Sequence, residues 1–514
     1  MKYHSQGTQL TLDLFRSSLD HLDKSNHWVK LGDTMPWDKI EKLYSSKLNN
    51  QHSGASGKPA RMIIGALIIK HRLKLSDRDT ILMIKENPYM QYFVGLTEFS
   101  DKEIFHHSLF TTIRQRLGAD DFNAMSVELL RKQVSQEEKR QQEEETQKES
   151  EESKKDDAPP TKDDDEGTMH IDEQGREHKG YLKVDATCAD AEMRYPTDIN
   201  LLHDGCRVLH EFAGRLSAKA GLPMPQILYG EARKAFLKAI KRKRKGKALM
   251  NETMRMLLKC LDLSIRAFWD FIAKQPYDLF LSLRQDQQRC FHAIIKMYEQ
   301  QKAMFYDQKK TCADRIVSIF QPHVRPIVRG KARASVEFGA KIGASIVQGY
   351  TFIDHHCWDA YNEASDLRLH VVFYKQRFGC LPRKVFADMI YLNRENRKYL
   401  KDLGIEIMGK PLGRPSKQSQ TPSYKASQAK AAGLRNEIEA TFGTSKRCYD
   451  ANDIRAKRPD TAECWNSMCY FAKNVMKFLG ELLSAIIEFF EFLCQSLMPD
   501  LSWRPCHILV GGAR

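Results

Sequence analysis

The chain has 514 residues, with 81 Lys+Arg against 66 Asp+Glu, a formal net charge of +15, 42% hydrophobic residues and 12 Cys. This length predicts about two to four folded units. The composition excludes the collagen-like, wholly disordered and small disulfide-stapled classes. The cysteines are scattered, and residues 1–15 are polar with no apolar signal core. We therefore expect reduced thiols and a cytoplasmic protein.

The most apolar stretch, residues 477–498, contains three glutamates, Glu481, Glu488 and Glu491. A carboxylate at the centre of a membrane-spanning helix costs about 2.5–3.5 kcal/mol. We therefore expect a partly buried C-terminal helix and no membrane insertion.

The charge is unevenly distributed, because residues 136–166 hold 14 acidic and six basic residues. This segment has no aromatic residue, and Ala158 is its one apolar residue. It cannot bury enough surface to fold and is predicted to be a disordered acidic linker. The rest of the chain is correspondingly more basic, which indicates a polyanionic partner.

Before this linker, the sequence predicts a small helical domain. Residues 59–73 form an apolar helix, Ser76 with Asp79 marks the start of another, and Pro88 can open a third. Short helices joined by tight turns and rich in Lys and Arg are typical of a helix-turn-helix DNA reader. A helical bundle for dimerisation fits the pattern equally well.

Beyond the linker, the predicted elements form an α+β unit. Residues 181–189 alternate apolar and polar and predict a strand, whereas helical periodicity from about 199 to 310 predicts a large helical insertion. The elements that follow are a hairpin of strands 334–347 and 350–358 around Gln348-Gly349, helix 364–379, strand 384–391, helix 393–404, strand 405–408 and a long helix from about residue 427. Without the insertion, the order is β-β-β-α-β-α-β-α, which predicts a mixed sheet with helices.

Three carboxylates can meet on this framework. Asp185 lies on the first predicted strand and Asp388 on the fourth, and these strands can be neighbours in a mixed sheet. Arg435, Glu439 and Lys446 are spaced by four and seven residues, so they share one face of the final helix. A solvated face is the alternative interpretation. Two aspartates and a glutamate suit Mg²⁺ or Mn²⁺, and a pair of such ions supports phosphoryl transfer.

Several motifs occur in an order typical of one family: GALIIKHRLKLSDRDTILMIKENPYMQYFVGL, VDAT with YPTDINLL, WDAYNEA, FADMIYLNRENRKYL and RNEIEATFGTSK. They resemble the DDE transposases of bacterial insertion sequences, in particular the group with an Arg-x3-Glu-x6-Lys signature. The resemblance implies an RNase H-like fold whose metal-binding catalytic triad is Asp185, Asp388 and Glu439. It also implies that Arg435 and Lys446 contact transposon-end DNA. Ala432 departs from the Tyr that relatives often carry three residues before the Arg.

The predicted organisation then has four parts. They are an N-terminal helical DNA-binding domain (1–133), an acidic disordered linker (134–178), an RNase H-like catalytic domain with its helical insertion (179–475), and a C-terminal apolar helix and tail (476–514). Within the insertion, the basic run 241–247 includes Lys241, Arg242, Lys243 and Arg244. Its charges must face either DNA phosphate or solvent, and both interpretations stay open.

Other residues are weaker candidates. Asp190, Asp198 and Asp204 lie near Asp185 in sequence, and we expect solvated carboxylates. Neighbours in the run Asp354, His355, His356 and Cys357 point to opposite faces of a strand, so they cannot all reach one ion. Cys464 and Cys469 are expected in a core. Tyr391 is three residues beyond Asp388 and either positions DNA or packs.

The sequence thus predicts a transposase that binds the inverted repeats of an insertion sequence, cleaves the ends and joins them to target DNA. Water is the expected nucleophile for cleavage, and the freed 3′-hydroxyl is the expected nucleophile for joining. Two Mg²⁺ or Mn²⁺ ions, double-stranded DNA and a second protomer are the expected partners, in the cytoplasm at the nucleoid. A catalytically silent repressor and an RNase H-like nuclease are the alternatives.

Overall fold

The computed structural model describes residues 18–48, 57–151, 167–244, 246–275, 277–328, 336–409 and 421–497. The N-terminal part consists of helices α1 (His27–Thr34), α2 (Trp37–Ser45), α3 (Ala60–Leu73), α4 (Asp77–Glu86), α5 (Pro88–Phe93), α6 (Leu109–Arg116) and α7 (Ala119–Glu151). The strands are β1 (His170–Ile171), β2 (Glu177–His178), β3 (Tyr181–Asp190), β4 (Arg325–Val328), β5 (Val336–Val347), β6 (Tyr350–Cys357), β7 (Lys384–Ala387) and β8 (Glu406–Met408).

The remaining helices fall into two groups. The insertion between β3 and β4 holds α8 (Asp198–Ala220), α9 (Tyr229–Ile240), α10 (Lys247–Ala273), α11 (Tyr277–Leu281) and α12 (Gln285–Tyr306). After β6 come the 3₁₀ helix η1 (Glu363–Asp366), α13 (Leu367–Phe378), α14 (Arg394–Asp402), α15 (Pro422–Cys448) and α16 (Pro459–Leu497).

The sheet is mixed, and its central strand is β3. β3 pairs with β5 in antiparallel fashion and with β7 in parallel fashion, and β8 extends the sheet beyond β7. The opposite edge of β5 pairs with β4 over its first residues and with β6 over the rest. This arrangement confirms the predicted RNase H-like mixed sheet interrupted by a helical insertion.

Local signals located several elements correctly. Ser76 caps α4 by accepting a hydrogen bond from the Asp79 amide at 3.1 Å, and Pro88 opens α5. The β5–β6 hairpin turns at Gln348 and Gly349, which both have positive φ, at 47° and 75°. A two-residue turn with two positive φ angles matches the twist of the flanking strands.

The predicted strand over 384–391 is too long. β7 ends at Ala387, and Asp388 opens a turn in which its carbonyl accepts a hydrogen bond from the Tyr391 amide at 3.0 Å. Asp388 therefore lies directly after the strand rather than on it. This turn lets the chain leave the sheet before α14 begins.

The insertion has a hydrophobic core of its own. Its helices bury apolar side chains at helical spacing, including Leu202, Leu209, Leu257, Leu261 and Phe291. A separate core explains how so large a segment can interrupt the sheet without disturbing the pairing of β3 with β5.

The boundaries predicted for the acidic linker differ from the structure. α7 continues to Glu151, so the predicted boundary at residue 134 lies inside a helix, and residues 170–178 form the β1–β2 hairpin. Glu, Gln, Lys and Arg are good helix formers, and α7 is anchored by buried residues such as Phe122 and Leu130. A helix that begins on a core can propagate by intrinsic propensity. The predicted linker residues 152–166 lie outside the described residues.

The predicted boundary at residue 476 also lies inside a helix, because α16 begins at Pro459. α16 packs against α3, α6, α7 and β6, so it joins the N-terminal helices to the sheet in one continuous core. Cys464 and Cys469 are buried in this core, as expected. In the described part of the chain, no helix is long and apolar enough to cross a membrane. The predicted tail after residue 497 lies outside the described residues.

Two buried asparagines complete the outer edge of β6. Asn123 of α7 donates to the Ile353 carbonyl at 2.6 Å and accepts from the Ile353 amide at 3.0 Å. Asn474 of α16 makes the same pair of contacts with Thr351, at 2.8 and 2.9 Å, and also donates to the Ser126 hydroxyl at 3.0 Å. These side chains replace a neighbouring strand, so the edge of β6 is covered by helices.

We predict that Asn474→Ala lowers the free energy of unfolding by about 3 kcal/mol, because the buried amide and carbonyl of Thr351 lose their partner. Urea unfolding monitored by tryptophan fluorescence measures this loss. The matched control, Asn251→Ala on an exposed position of α10, should change stability by about 0.5 kcal/mol or less. Equal losses in the two variants would contradict the role assigned to Asn474.

Candidate active site

The pairing of β3 with β7 brings two aspartates together at one edge of the sheet. Val184 lies opposite Ala387 in the parallel register. Asp185 and Asp388 are the next residues along these two segments. Each carboxylate accepts a hydrogen bond from the following backbone amide, Ala186 at 2.8 Å and Met389 at 2.7 Å. Asp388 lies at the carboxyl end of β7, where functional side chains of parallel strands gather, and Asp185 lies beside it in the middle of β3.

The third acid, Glu439, lies on α15, which packs across β3 and β7. The Lys183 side chain, 4% exposed, forms an ion pair with Glu437 and fixes the helix on the sheet. Arg435, one turn before Glu439, lies between the carboxylates. Its Nη1 is 3.0 Å from Asp388 Oδ1, and its Nη2 is 3.7 Å from Glu439 Oε1. Asp388 and Glu439 are thus brought to the same guanidinium.

The environment of Asp185 disfavours its charge. Burial raises the pKa of this carboxyl to about 6, and the negative charges of Glu363, Asp388 and Glu439 act in the same direction. A group of oxygen donors whose charges repel one another is stabilised by a bound divalent cation. The residues present therefore fit Mg²⁺ or Mn²⁺ by donor type and by charge.

Glu363 is a carboxylate that our reading of the sequence missed. It is the first residue of η1, and its negative charge raises the pKa of Asp185 more than the charge of Asp388 or of Glu439 does. Its segment, WDAYNEA, is part of the family resemblance, but the sequence does not show that η1 packs back against the site. Proximity of this kind depends on the tertiary fold.

Lys446 lies farther along α15 than Arg435 and Glu439 do. Seven residues of helix separate it from Glu439 by about 10 Å. Its charge acts on Asp190, whose pKa is raised by burial and by Glu337 and is partly lowered again by Lys446. Arg435 and Lys446 thus lie on one helix, but their charges act on different aspartates, Asp388 and Asp190.

Asp190 belongs to a second polar group. In the described part of the chain, Cys188, Asp190 and Glu337 are the one set of three or more His, Cys, Asp or Glu whose ligand atoms all lie within 4.8 Å. Asp185, Asp388 and Glu439 are spaced more widely. A thiol is a soft ligand and does not suit Mg²⁺, so this group is less suitable for binding Mg²⁺ than the three carboxylates are.

The remaining candidates have separate partners. Asp354 pairs with His370 and Arg377, His355 with Asp366, and His356 accepts from the Asn466 amide. The structure thus confirms that this run cannot converge on one ion. Asp198 pairs with Arg315 at 2.7 Å and Asp204 with Arg194 at 2.8 Å. Both carboxylates are ion-paired and also partly exposed, Asp198 at 45% and Asp204 at 21%, so the solvation expected for them accounts for part of their environment. Tyr391 is fully buried, which confirms packing as one of its roles.

The basic run lies in the connection between α9 and α10. Lys241, Arg242, Lys243 and Arg244 are all exposed, and Lys245 lies outside the described residues. Among the residues the structure describes, none of these four cations has an ion-pair partner. Their charges are available to a polyanion, although solvent satisfies them equally well.

Comparison with known proteins finds two matches to transposase domains. Residues 16–116 match a transposase domain (DUF772), and residues 385–476 match a transposase DDE domain. The first match covers α1 to α6, and the second contains Asp388, Arg435, Glu439 and Lys446. The matches confirm the resemblance to DDE transposases of insertion sequences and support a transposase, which is a DNA-processing enzyme.

One relative is the uncharacterized protein ORF8 in the nfe locus of Rhizobium meliloti, which is 28% identical over 123 residues. The similar region is 24% of this chain and 56% of the relative, so the chain spans just over half of that protein's length. No solved structure matches the chain.

Proposed function

We propose that the protein binds the terminal inverted repeats of an insertion sequence, cleaves the DNA at the element ends and transfers the freed strands to target DNA. The observation that carries this proposal is the placement of Asp185 on β3 next to Asp388, which directly follows β7, with Glu439 of α15 close by. The transposase DDE domain supports it, because the match includes two of the three carboxylates.

In this proposal Asp185, Asp388 and Glu439 hold two Mg²⁺ or Mn²⁺ ions. Such ions stabilise the attacking and leaving oxygens of an in-line displacement when they are bound. The role of the sheet is to fix Asp185 by backbone pairing and to hold Asp388 in the turn directly after β7, and the role of α15 is to bring Glu439 across them. Sites on paired strands and packed helices hold their geometry better than sites on loops.

The reaction needs no protein nucleophile. Water attacks the phosphorus at the element end, a P–O bond to water forms, and the bond to the 3′ oxygen breaks and leaves a 3′-hydroxyl. That hydroxyl then attacks a target phosphodiester, and the 3′ oxygen of the target leaves. Each step exchanges one P–O bond for another.

The cations of the protein provide the contacts to DNA. With its carboxylate partners neutralised, the Arg435 guanidinium can bind a phosphate next to the cleavage site. Lys446 follows on the same helix, and Lys241 to Arg244 extend the basic surface onto the insertion. The N-terminal helices recognise the repeats as a helix-turn-helix reader, and a bundle for dimerisation is the alternative role of these helices. Two protomers are needed because two ends are joined.

We predict that Asp185→Asn, Asp388→Asn and Glu439→Gln each slow cleavage at the element ends by about 10³-fold or more, because each removes a charged oxygen donor. The assay uses purified protein, Mg²⁺ or Mn²⁺, and a plasmid that carries the DNA flanking the gene. Affinity for the ends should stay within about threefold, since contacts to phosphate and bases supply DNA binding. The control is Asp307→Asn at an exposed position of the insertion.

The same assay separates the alternatives. Binding of the ends without metal-dependent cutting by the wild type would favour a catalytically silent repressor. Cutting that ignores the end sequence and gives no joined products would favour a nuclease. Cleavage that persists in all three variants would contradict the assigned triad.

We also predict that replacing Lys241, Arg242, Lys243 and Arg244 by Gln reduces the dependence of DNA affinity on salt. If all four contact phosphates, the slope of log K against log salt becomes shallower by about 3.6, since each contact contributes about 0.9. Fluorescence anisotropy with labelled end DNA at several salt concentrations measures this slope.

The control is another four-cation change on the insertion that removes the same charge, namely Lys296, Lys302, Lys309 and Lys310 to Gln. An equal change of slope in both variants would show that only the net charge matters. It would contradict a specific contact by the basic run.

A further inference from the structure

The turn after β7 and the start of η1 are joined by one buried side chain. The Asn396 side chain, 4% exposed, donates hydrogen bonds to the carbonyls of Ala364 and Tyr391, both at 2.7 Å. Ala364 follows Glu363, and Tyr391 ends the turn that Asp388 opens. The backbone next to Glu363 is therefore fixed to the turn that begins at Asp388.

One lysine holds the Glu363 carboxylate from the other side. Lys341 Nζ of β5 is 2.8 Å from Glu363 Oε1, and it also donates to the Tyr361 carbonyl at 2.8 Å. Both side chains of the ion pair are largely buried. A charge in such a position would be costly without a partner, so Lys341 stabilises Glu363 when no other cation is near.

The Tyr391 hydroxyl provides an independent observation. The Tyr391 side chain is fully buried, and its hydroxyl has no hydrogen-bond partner among the described residues. Burial raises the pKa of this phenol, and the charges of Glu363 and then Asp185 add to the effect. The hydroxyl is thus exposed to the charge of both carboxylates, and a buried hydroxyl without a partner indicates a missing acceptor.

We propose that Glu363 is a fourth carboxylate of the divalent-cation site, and that the Tyr391 hydroxyl donates a hydrogen bond to a water molecule bound there. This inference rests on the proposed function, since it assumes that Asp185 holds a divalent cation. Lys341 then acts as a substitute partner for Glu363 in the cation-free protein, as Arg435 does for Asp388.

The test measures Mn²⁺ binding to the full-length protein by the electron paramagnetic resonance signal of free Mn²⁺. We expect Glu363→Gln to weaken Mn²⁺ binding by about tenfold or more, because charge and ligand number set the affinity of such sites. Asp185→Asn should weaken it at least as much. Glu395→Gln, at an exposed acid of α14, should bind within about twofold of the wild type. Tyr391→Phe should also weaken binding, without lowering the melting temperature.

The outcomes distinguish this inference from the proposed function. Normal binding by Glu363→Gln, with weakened binding by Asp185→Asn, would overturn the role of Glu363 and leave the proposed triad intact. Normal binding by Asp185→Asn, or no binding by the wild type, would overturn the metal site of the proposed function itself.

A second variant keeps the test decisive if Glu363→Gln does not fold. Glu363→Gln combined with Lys341→Met removes both partners of the ion pair, so neither charge is left buried alone. Weak Mn²⁺ binding by the folded double variant would support the inference. Wild-type affinity in the double variant would show that Glu363 only pairs with Lys341, and would overturn it.

Discussion

The parallel pairing of β3 with β7 is the constraint on which the proposed site depends. It sets Val184 opposite Ala387 and so places Asp185, in the middle of β3, beside Asp388, which directly follows β7. A slip of one residue would turn one aspartate to the other face of the sheet. α15 is fixed on the same two strands, and Glu439 can approach only because that packing is in place.

Gathering carboxylates in this way works against folding, because like charges repel. Two cations offset part of this repulsion. Arg435 lies beside Asp388 and Glu439, and Lys341 lies beside Glu363. Asp185 has no such partner in the described ion pairs, and its raised pKa reflects that position. The repulsion between these carboxylates thus lowers the stability of the fold, and a bound divalent cation would offset this loss. Such local destabilisation is typical of functional sites.

The sequence predicts best what local chemistry decides. The Gln348-Gly349 turn, the Ser76 cap and the helical periodicity of the insertion each depend on a few neighbouring residues. The long extent of α7 differs from the predicted disorder because Glu, Gln, Lys and Arg favour a helix even in a segment that has almost no apolar residues. Glu363 and the Asn396 side chain that positions it were missed because their contacts join segments that only the tertiary fold brings together.

The most direct test of this account is anomalous diffraction at the manganese edge from crystals soaked in Mn²⁺. The account predicts density bounded by Asp185, Asp388 and Glu439, with the Arg435 guanidinium moved away from Asp388. Density beside Cys188, Asp190 and Glu337, with none at the triad, would contradict it.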